Sequence, residues 1–127
     1  MAIIIPLTSP FLPTVGALRE QQKLLIRAPG WKFLRSDFIL EFPACAACGS
    51  MVGSLQVHHI KCVRLYPELE LVWDNLITLC GEHHFILGHG GNWLHWNKNI
   101  VEICRLMRSG IMIDRETIQF ATESSEM

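Results

Sequence analysis

Apolar side chains recur at helical spacing over residues 31–42. The side chains that fall on one helix face there are Trp31, Leu34, Phe38 and Phe42. This spacing predicts a helix whose apolar face packs into the core. Pro43 ends the helix just before Cys45.

The chain before this helix is predicted to form an irregular arm followed by one short helix. Residues 1–17 mix apolar residues with three prolines, a composition typical of an irregular segment that packs against a body. Residues 18–27 have high helical propensity and carry leucines on one face. Pro29 and Gly30 then break the run.

Two short strands are predicted after the helix, with a long connection between them. Residues 55–58 alternate in polarity, and residues 76–80, which follow a turn at residues 74–75, resemble a second strand. The connection over residues 60–73 contains Pro67. A loop of that length inside a compact domain is often functional.

Three further helices are predicted toward the C-terminus. The first begins near Glu82 and ends at the glycines that follow it. The second covers residues 98–108 and is capped by Asn97. The third is short and runs from a cap at Asp114 through Ala121.

Composition and charge favour one globular domain. The chain has 127 residues, of which 50% are hydrophobic and 18% charged, which suits a single compact core rather than a disordered segment. The formal net charge is −1, so no overall basic field attracts a polyanion. Binding to nucleic acid would therefore depend on a local patch or a metal ion, which argues against a protein that only coats nucleic acid.

Targeting signals and cysteine usage favour a reducing cytoplasm. No segment approaches the roughly 20 apolar residues that span a bilayer, so no membrane partner is expected. The apolar start lacks the basic region of a signal peptide. Five cysteines are an odd number, which suits metal binding better than a disulfide framework.

Two pairs of ligand-type residues predict a structural zinc site. Cys45 and Cys48 form one pair with two residues between them, and Cys80 and His83 form the other. Each two-residue spacer lets both side chains reach one ion, and four ligands close a tetrahedral shell. In so small a domain such a site would contribute on the order of 10 kcal/mol to folding.

Other residues could alter this ligand set. His84 or a later histidine could replace His83 sterically. Cys62 and Cys104 have no partner at metal spacing, so we expect them to be core or surface thiols rather than ligands.

The segments around these pairs resemble the HNH endonuclease family. The matching parts, in order, are the first cysteine pair, the paired histidines His58-His59 ending a strand, Asn75 in an Asn-Leu-Ile-Thr-Leu-Cys run, the second pair, and His84. This order of parts is specific, and the resemblance covers residues 31–100.

The resemblance implies an α+β protein with a ββα-metal core, in which two short antiparallel strands and one helix converge on a divalent ion. It implies a zinc-stapled nuclease domain over residues 31–110. An arm and helix over residues 1–30 precede this domain. An extension over residues 111–127 follows, and we expect its end to fray.

The resemblance also implies roles for the matching residues. His59 matches the general base, and Asn75 matches a brace for the loop and the base. His58 and His84 match ligands of the catalytic metal. The last structural ligand is usually cysteine in the zinc-stapled relatives, where this chain has His83. Because neighbouring strand residues point to opposite sides, a kink or strand end must bring His58 and His59 to one site.

These residue types suit phosphodiester hydrolysis. An imidazole with an ordinary pKa near 6.5 is neutral at pH 7 and can take a proton from water. A divalent ion with only two or three protein ligands keeps positions open for water and phosphate. Imidazoles suit Zn²⁺, Ni²⁺ or Mn²⁺, while Mg²⁺ usually prefers oxygen; all four stay open. The resemblance implies 5′-phosphate and 3′-hydroxyl products.

Several side chains near the motif allow two interpretations. His89 can ligate the catalytic metal or touch phosphate, or it can be a loop histidine between glycines. His95 lies between Trp93 and Trp96 and is expected to be structural. Trp73 and Trp93 could stack on bases, although core packing is favoured.

Basic residues flank the motif at Lys32, Arg35, Lys61 and Arg64. We predict that Arg35, Lys61 and Arg64 contact phosphates, which positions a backbone without reading bases. An ordinary solvated face is the alternative, since acidic residues lie nearby. No helix with base-reading side chains is evident, so little sequence specificity is expected.

The sequence therefore predicts a metal-dependent DNA endonuclease of phage or bacterial type. One alternative is a zinc-knuckle module that binds nucleic acid without turnover, and another is a structural protein whose metal holds a small core. The complete set of His59, Asn75 and His84 argues against both. Metal content separates them, because two metals per chain favour the enzyme and one tightly held zinc favours the others.

Overall fold

The computed structural model describes residues 27–124. The expected arm over residues 1–17 lies outside the described residues, and so does the expected helix over 18–27 except for Arg27. Within the described part of the chain, no helix is long and apolar enough to cross a bilayer.

The described chain contains three helices and four strands. A π-helical turn over His84–Gly88 continues the second helix directly, and single 3-10 turns lie at Pro67–Leu69, Trp73–Asn75 and Arg115–Thr117. The elements are α1 (Trp31–Glu41), β1 (Leu55–His59), β2 (Leu76–Cys80), α2 (Gly81–His83), β3 (His95–Asn97), α3 (Ile100–Arg108) and β4 (Phe120–Thr122).

Strands β1 and β2 form an antiparallel pair that leads straight into α2. Leu55 pairs with Cys80 at one end of the register, and His59 pairs with Leu76 at the other. Cys80, an expected zinc ligand, therefore lies at one end of the strand pair, and His59, the expected base, lies at the other. Two antiparallel strands followed by a helix are the ββα arrangement, so the predicted α+β class with a ββα-metal core is confirmed.

The main core lies between this hairpin and α3. Leu79, Ile100 and Ile103 are fully buried in it, as the apolar spacing of the predicted helix requires. Asn97 does not cap that helix, which is a correction. It lies buried in β3, where its amide nitrogen donates to the Leu87 carbonyl and its amide oxygen accepts from the Asn99 amide.

Helix α1 packs its apolar face on the hairpin. Phe38 is buried against Val57 and Leu76, with Trp31 half-buried beside them. Phe42 departs from the predicted core position, because it follows the last helical residue and its side chain is 46% exposed. The helix itself is confirmed.

A second two-stranded sheet joins the C-terminal segment to the body. Trp96 of β3 pairs with Ala121 of β4. The short helix expected from Asp114 through Ala121 is therefore wrong beyond a single turn at Arg115–Thr117. The Glu123 amide also donates to the Leu94 carbonyl at 2.7 Å, so this part of the expected fraying end is held in place.

Candidate active site and metal centres

The two ligand pairs predicted for zinc meet in one cluster. The ligand atoms of Cys45, Cys48, Cys80 and His83 all lie within 4.8 Å of one another. His83 Nδ1 lies 3.3 Å from the Cys80 sulfur and 3.7 Å from the Cys45 sulfur. The structure thus brings His83, rather than His84, to the two cysteine pairs. Three sulfurs and one imidazole are a ligand set that suits tetrahedral Zn²⁺.

Backbone amides around Cys45 favour the thiolate form of its sulfur. The Gly49 amide donates to the Cys45 carbonyl at 2.7 Å and closes a tight turn, for which Gly49 takes a φ of 78°. Burial alone would raise the pKa of the Cys45 thiol. The nearby backbone amides and the hydrogen bond with His83 together have the larger effect and lower this pKa to about 6. Thiolate is the form that binds metal.

A second cluster joins three histidines. The ligand nitrogens of His58, His84 and His89 lie within 4.8 Å of one another, and the two Nε2 atoms of His84 and His89 are 3.3 Å apart. His58 Nε2 is buried and has no hydrogen-bond partner among residues 27–124. A buried polar nitrogen without a partner is costly, and a cation shared with the two other rings would satisfy it.

Hydrogen bonds at the far side of two rings fix which nitrogen faces the cluster. His84 Nδ1 donates to the Gln56 side-chain oxygen, and His89 Nδ1 donates to the His95 carbonyl at 2.7 Å. Each Nε2 therefore carries a lone pair toward the cluster, the pattern found around metal-bound histidine. Gln56 was not predicted, although its position two residues before His58 puts both on one strand face.

The π-helical turn explains how His89 reaches this site. Residues five apart lie one above the other in a π turn, as His84 and His89 do here. The ring centroids of His89 and His58 are 5.0 Å apart. The structure therefore places His89 in the histidine cluster and not in a loop away from it.

All three clustered histidines are held in the neutral form. Burial lowers the pKa of His58 far below its ordinary value, with the neighbouring histidines adding to the effect. Burial also lowers the pKa of His84 to about 3 and that of His89 below its ordinary range. Neutral imidazole is the metal-binding form, so the chemistry of this donor set fits a divalent cation.

His59 ends strand β1 and faces the same cleft with a different environment. Its Nε2 donates to the Glu70 carbonyl at 3.0 Å, and its ring stacks on Trp31 at a centroid distance of 4.6 Å. Nδ1 is therefore the nitrogen with a free lone pair. Burial lowers the His59 pKa to about 4, against the opposing effect of the Glu70 carbonyl, so the ring is neutral at pH 7.

Asn75 braces the loop that follows His59. Its buried side chain accepts from the Lys61 amide at 2.8 Å and donates to the Lys61 and Leu69 carbonyls. These bonds close the connection between β1 and β2 at both ends. The tautomer of His59 is fixed by Glu70, and the described contacts of Asn75 do not include that ring.

The histidine cluster and His59 line one cleft with a volume of about 440 Å³. Its walls carry three arginines, one carboxylate and two tryptophans: Arg27, Arg35, Arg64, Glu123, Trp31 and Trp93. Trp93 packs on His84 and His89 at centroid distances of 5.3 and 4.8 Å. Glu123 could not be identified from the sequence, because the pairing of β3 with β4 brings it here.

Other predicted residues lie away from this cleft. The Lys61 ammonium sits 5.1 Å from the centre of the Tyr66 ring and does not line the cleft, and Lys32 is exposed. Trp73 packs edge-on against Phe38. As predicted for core thiols, Cys62 and Cys104 are buried outside both ligand clusters, although Cys62 does line the cleft.

Comparison with known families agrees with the resemblance to HNH endonucleases. Residues 45–90 match the family model described as HNH endonuclease. Neither the comparison with curated proteins nor that with solved structures gave a match. The matched segment begins at the first zinc-type cysteine and contains both ligand clusters and His59. Residues 45–90 are therefore similar to the HNH endonuclease family.

Proposed function

We propose that the protein is a metal-dependent endonuclease that hydrolyses DNA phosphodiester bonds, with His59 as the general base. One observation carries this proposal. A neutral imidazole with a free Nδ1 lies beside a cluster of three neutral histidines in one open cleft. Such a cleft can hold a base, a cation and a phosphate at the same time.

His59 accepts a proton from the attacking water at Nδ1. The Glu70 carbonyl holds the N–H on Nε2, so the lone pair points away from the loop. A pKa of about 4 keeps the ring neutral but makes it a weak base. A phosphate anion in the cleft favours the charged imidazolium and raises the pKa of His59 when substrate binds.

His58, His84 and His89 would hold the divalent cation. Three protein ligands leave positions open for water and a phosphate oxygen. When bound, the cation stabilises charge on the phosphoryl group and on the leaving 3′ oxygen. Three imidazoles suit Zn²⁺, Ni²⁺ or Mn²⁺ better than Mg²⁺. The products carry 5′-phosphate and 3′-hydroxyl ends.

The cysteine cluster would hold a structural Zn²⁺. Four protein ligands leave no position for substrate, so this ion takes no part in hydrolysis. It instead ties the loop before β1 to the end of β2, where Cys45 and Cys80 lie. Strand β1, which carries His58 and His59, and the turn after β2, which begins at His84, are thereby fixed.

Arg35 and Arg64 would bind phosphates of the substrate backbone. Both line the cleft, and their contacts would position DNA without reading its sequence. We do not retain Lys61 in this role, because its ammonium lies over Tyr66. We also propose that the domain extends beyond residue 110, because β4 pairs with β3 and Glu123 lines the cleft.

Plasmid nicking with added Mn²⁺, Ni²⁺, Zn²⁺ or Mg²⁺ tests the proposal. The parent should nick DNA with at least one of these ions, and His59→Ala should lose about 100-fold or more of the rate. Asp37→Asn, an exposed change on α1, is the matched control and should cut like the parent. Binding without cutting by the metal-loaded parent would favour the non-catalytic binding module instead.

A further inference from the structure

Two contacts hold the imidazole of His59. On one side the indole of Trp31 stacks on the ring, with centroids 4.6 Å apart and an angle of 29° between the planes. At its edge the Glu70 carbonyl accepts the Nε2–H hydrogen bond at 3.0 Å. The two contacts constrain different things, since stacking limits ring rotation and the carbonyl selects one tautomer.

Glu70 also links these two contacts to each other. Its carboxylate accepts a hydrogen bond from the Ala28 amide at 2.7 Å. The Ala28 carbonyl in turn accepts from the Trp31 amide at 3.1 Å, across the turn at Gly30 that starts α1. The loop between β1 and β2 is thus tied to the start of α1, although the two segments are 42 residues apart in sequence.

We propose that Trp31 and Glu70 are positioning residues that hold His59 in the single rotamer and tautomer used for hydrolysis. This inference rests on the proposed function. A general base must meet its water within hydrogen-bond reach, and a displacement of about 1 Å can cost on the order of 100-fold in rate. A histidine at the last position of a strand has no strand neighbour beyond it to hold its ring.

The side chain of Glu70 matters in this arrangement even though its carbonyl makes the contact. Without the carboxylate, the Ala28 amide loses its acceptor and the carbonyl loses its anchor to α1. The hydrogen bond to His59 Nε2 then depends on a loop that Asn75 still fastens at its ends but that has lost its tie to α1. A change at the Glu70 side chain should therefore loosen the His59 tautomer without touching the histidine cluster.

Trp31 also packs near Phe38 in the hairpin core, so its variants must separate positioning from folding. Trp31→Leu keeps an apolar side chain but removes the stacked ring, and Trp31→Phe keeps an aromatic face. We expect Trp31→Leu to lower kcat by about 10- to 100-fold with KM changed less than about twofold. Trp31→Phe should recover most of that loss.

Glu70 provides a second and independent test. Glu70→Ala should lower kcat with little change in KM, while Glu70→Gln keeps an acceptor for the Ala28 amide and should lose less. Glu68→Ala is the matched control, because Glu68 is an exposed acid in the same loop. If Trp31→Leu does not fold, the Glu70 pair decides the matter alone.

Nitrogen-15 NMR of the imidazole rings gives a measurement that does not need turnover. The parent should show His59 as the Nε2–H tautomer. Glu70→Ala should show a mixture, and so should Trp31→Leu, because a ring that is free to rotate leaves the Glu70 carbonyl. Unchanged kcat and an unchanged tautomer in both variants would overturn the proposal, as would an equal loss of kcat in Trp31→Phe. A parent that cuts no DNA contradicts the nuclease assignment, while the tautomer spectrum still tests whether Trp31 and Glu70 hold the His59 ring.

Discussion

The ring of His58 lies directly against the backbone of Gly88, where an added side chain would crowd it. A Cβ placed on Gly88 would be 3.0 Å from Cε1 and 3.1 Å from Nδ1 of that ring. Gly88 is the last residue of the π turn that places His84 and His89. Close approach of strand β1 to this turn is what brings three histidines to one point.

Gly88→Ala should therefore weaken metal binding at the histidine cluster. The added methyl group must displace the His58 ring slightly from its position, and we expect the affinity for the exchangeable metal to fall about tenfold or more. Titration calorimetry with Mn²⁺ or Ni²⁺ on protein that retains its tightly bound zinc measures this. Gly81→Ala is the control, since its Cβ would meet nothing closer than 3.9 Å. Equal affinities in the two variants would contradict the steric argument.

Gln56→Leu should also weaken metal binding, but through the tautomer of His84. The amide oxygen holds the proton on His84 Nδ1, and its loss lets the proton move to Nε2, the nitrogen that faces the cluster. Removing such a partner typically costs 10- to 100-fold in metal affinity. Gln56→Glu keeps the acceptor and should bind at least as tightly as the parent. Gln119→Leu, at an exposed position, controls for the change in polarity.

Loss of the cysteine cluster should unfold the protein rather than only inactivate it. A structural zinc site contributes on the order of 10 kcal/mol, comparable with the whole stability of a small domain. Cys80→Ser or a strong chelator should remove the cooperative thermal transition seen by circular dichroism. Cys104→Ala, a buried thiol outside both clusters, should cost only about 1–2 kcal/mol. A folded Cys80→Ser protein with a normal transition would show that the cluster is not a staple.

The stability of protein freed of the exchangeable metal should fall as pH is lowered below about 6.5. His58, His84 and His89 have pKa values lowered by burial in the folded state, to about 3 for His84. The unfolded chain therefore binds protons first, and the stability is present above pH 6.5 and lost toward the folded pKa values. Urea midpoints between pH 8 and 5 measure this. His84→Ala should show a shallower dependence, and an identical slope would contradict the prediction.

The sequence predicted those features that depend on short spacings. The knuckle pairs at Cys45 and Cys80 need only two-residue spacers, and α1 and α3 follow from apolar periodicity. The order of motif parts then implied which histidines meet. The spacings lie within a few residues and the order of the motif parts is carried by the sequence itself, so each signal could be identified without knowing the tertiary contacts.

Features that depend on distant pairing were missed. Strands β3 and β4 have three residues each, too few for an alternating pattern to be recognised, and their partners lie far apart in sequence. The π turn was also missed, since an ordinary helix would not align His84 with His89. Glu70 contacts His59 through its backbone carbonyl, and a backbone contact cannot be recognised from the residue type.

Glu123 supplies the carboxylate that lines the cleft with three arginines. Burial raises its pKa, while the charges of Arg64 and Arg27 act in the opposite direction. A carboxylate at this place repels phosphate and competes for the same guanidinium groups. The pairing of β4 with β3 and the hydrogen bond from the Glu123 amide to the Leu94 carbonyl hold Glu123 at this position in the cleft.

Glu123→Gln should therefore tighten the binding of nucleic acid. The change removes one negative charge and keeps the size of the side chain, and we expect the Kd for a labelled oligonucleotide to fall about three- to tenfold at low salt. The gain should shrink as ionic strength rises, because screening weakens the repulsion. Fluorescence anisotropy in the inactive His59→Ala background measures binding without cleavage. Glu116→Gln makes the same charge change at an exposed position outside the cleft. If both variants tighten binding equally, overall charge is responsible; weaker binding by Glu123→Gln alone would instead mean that the carboxylate orients the arginines.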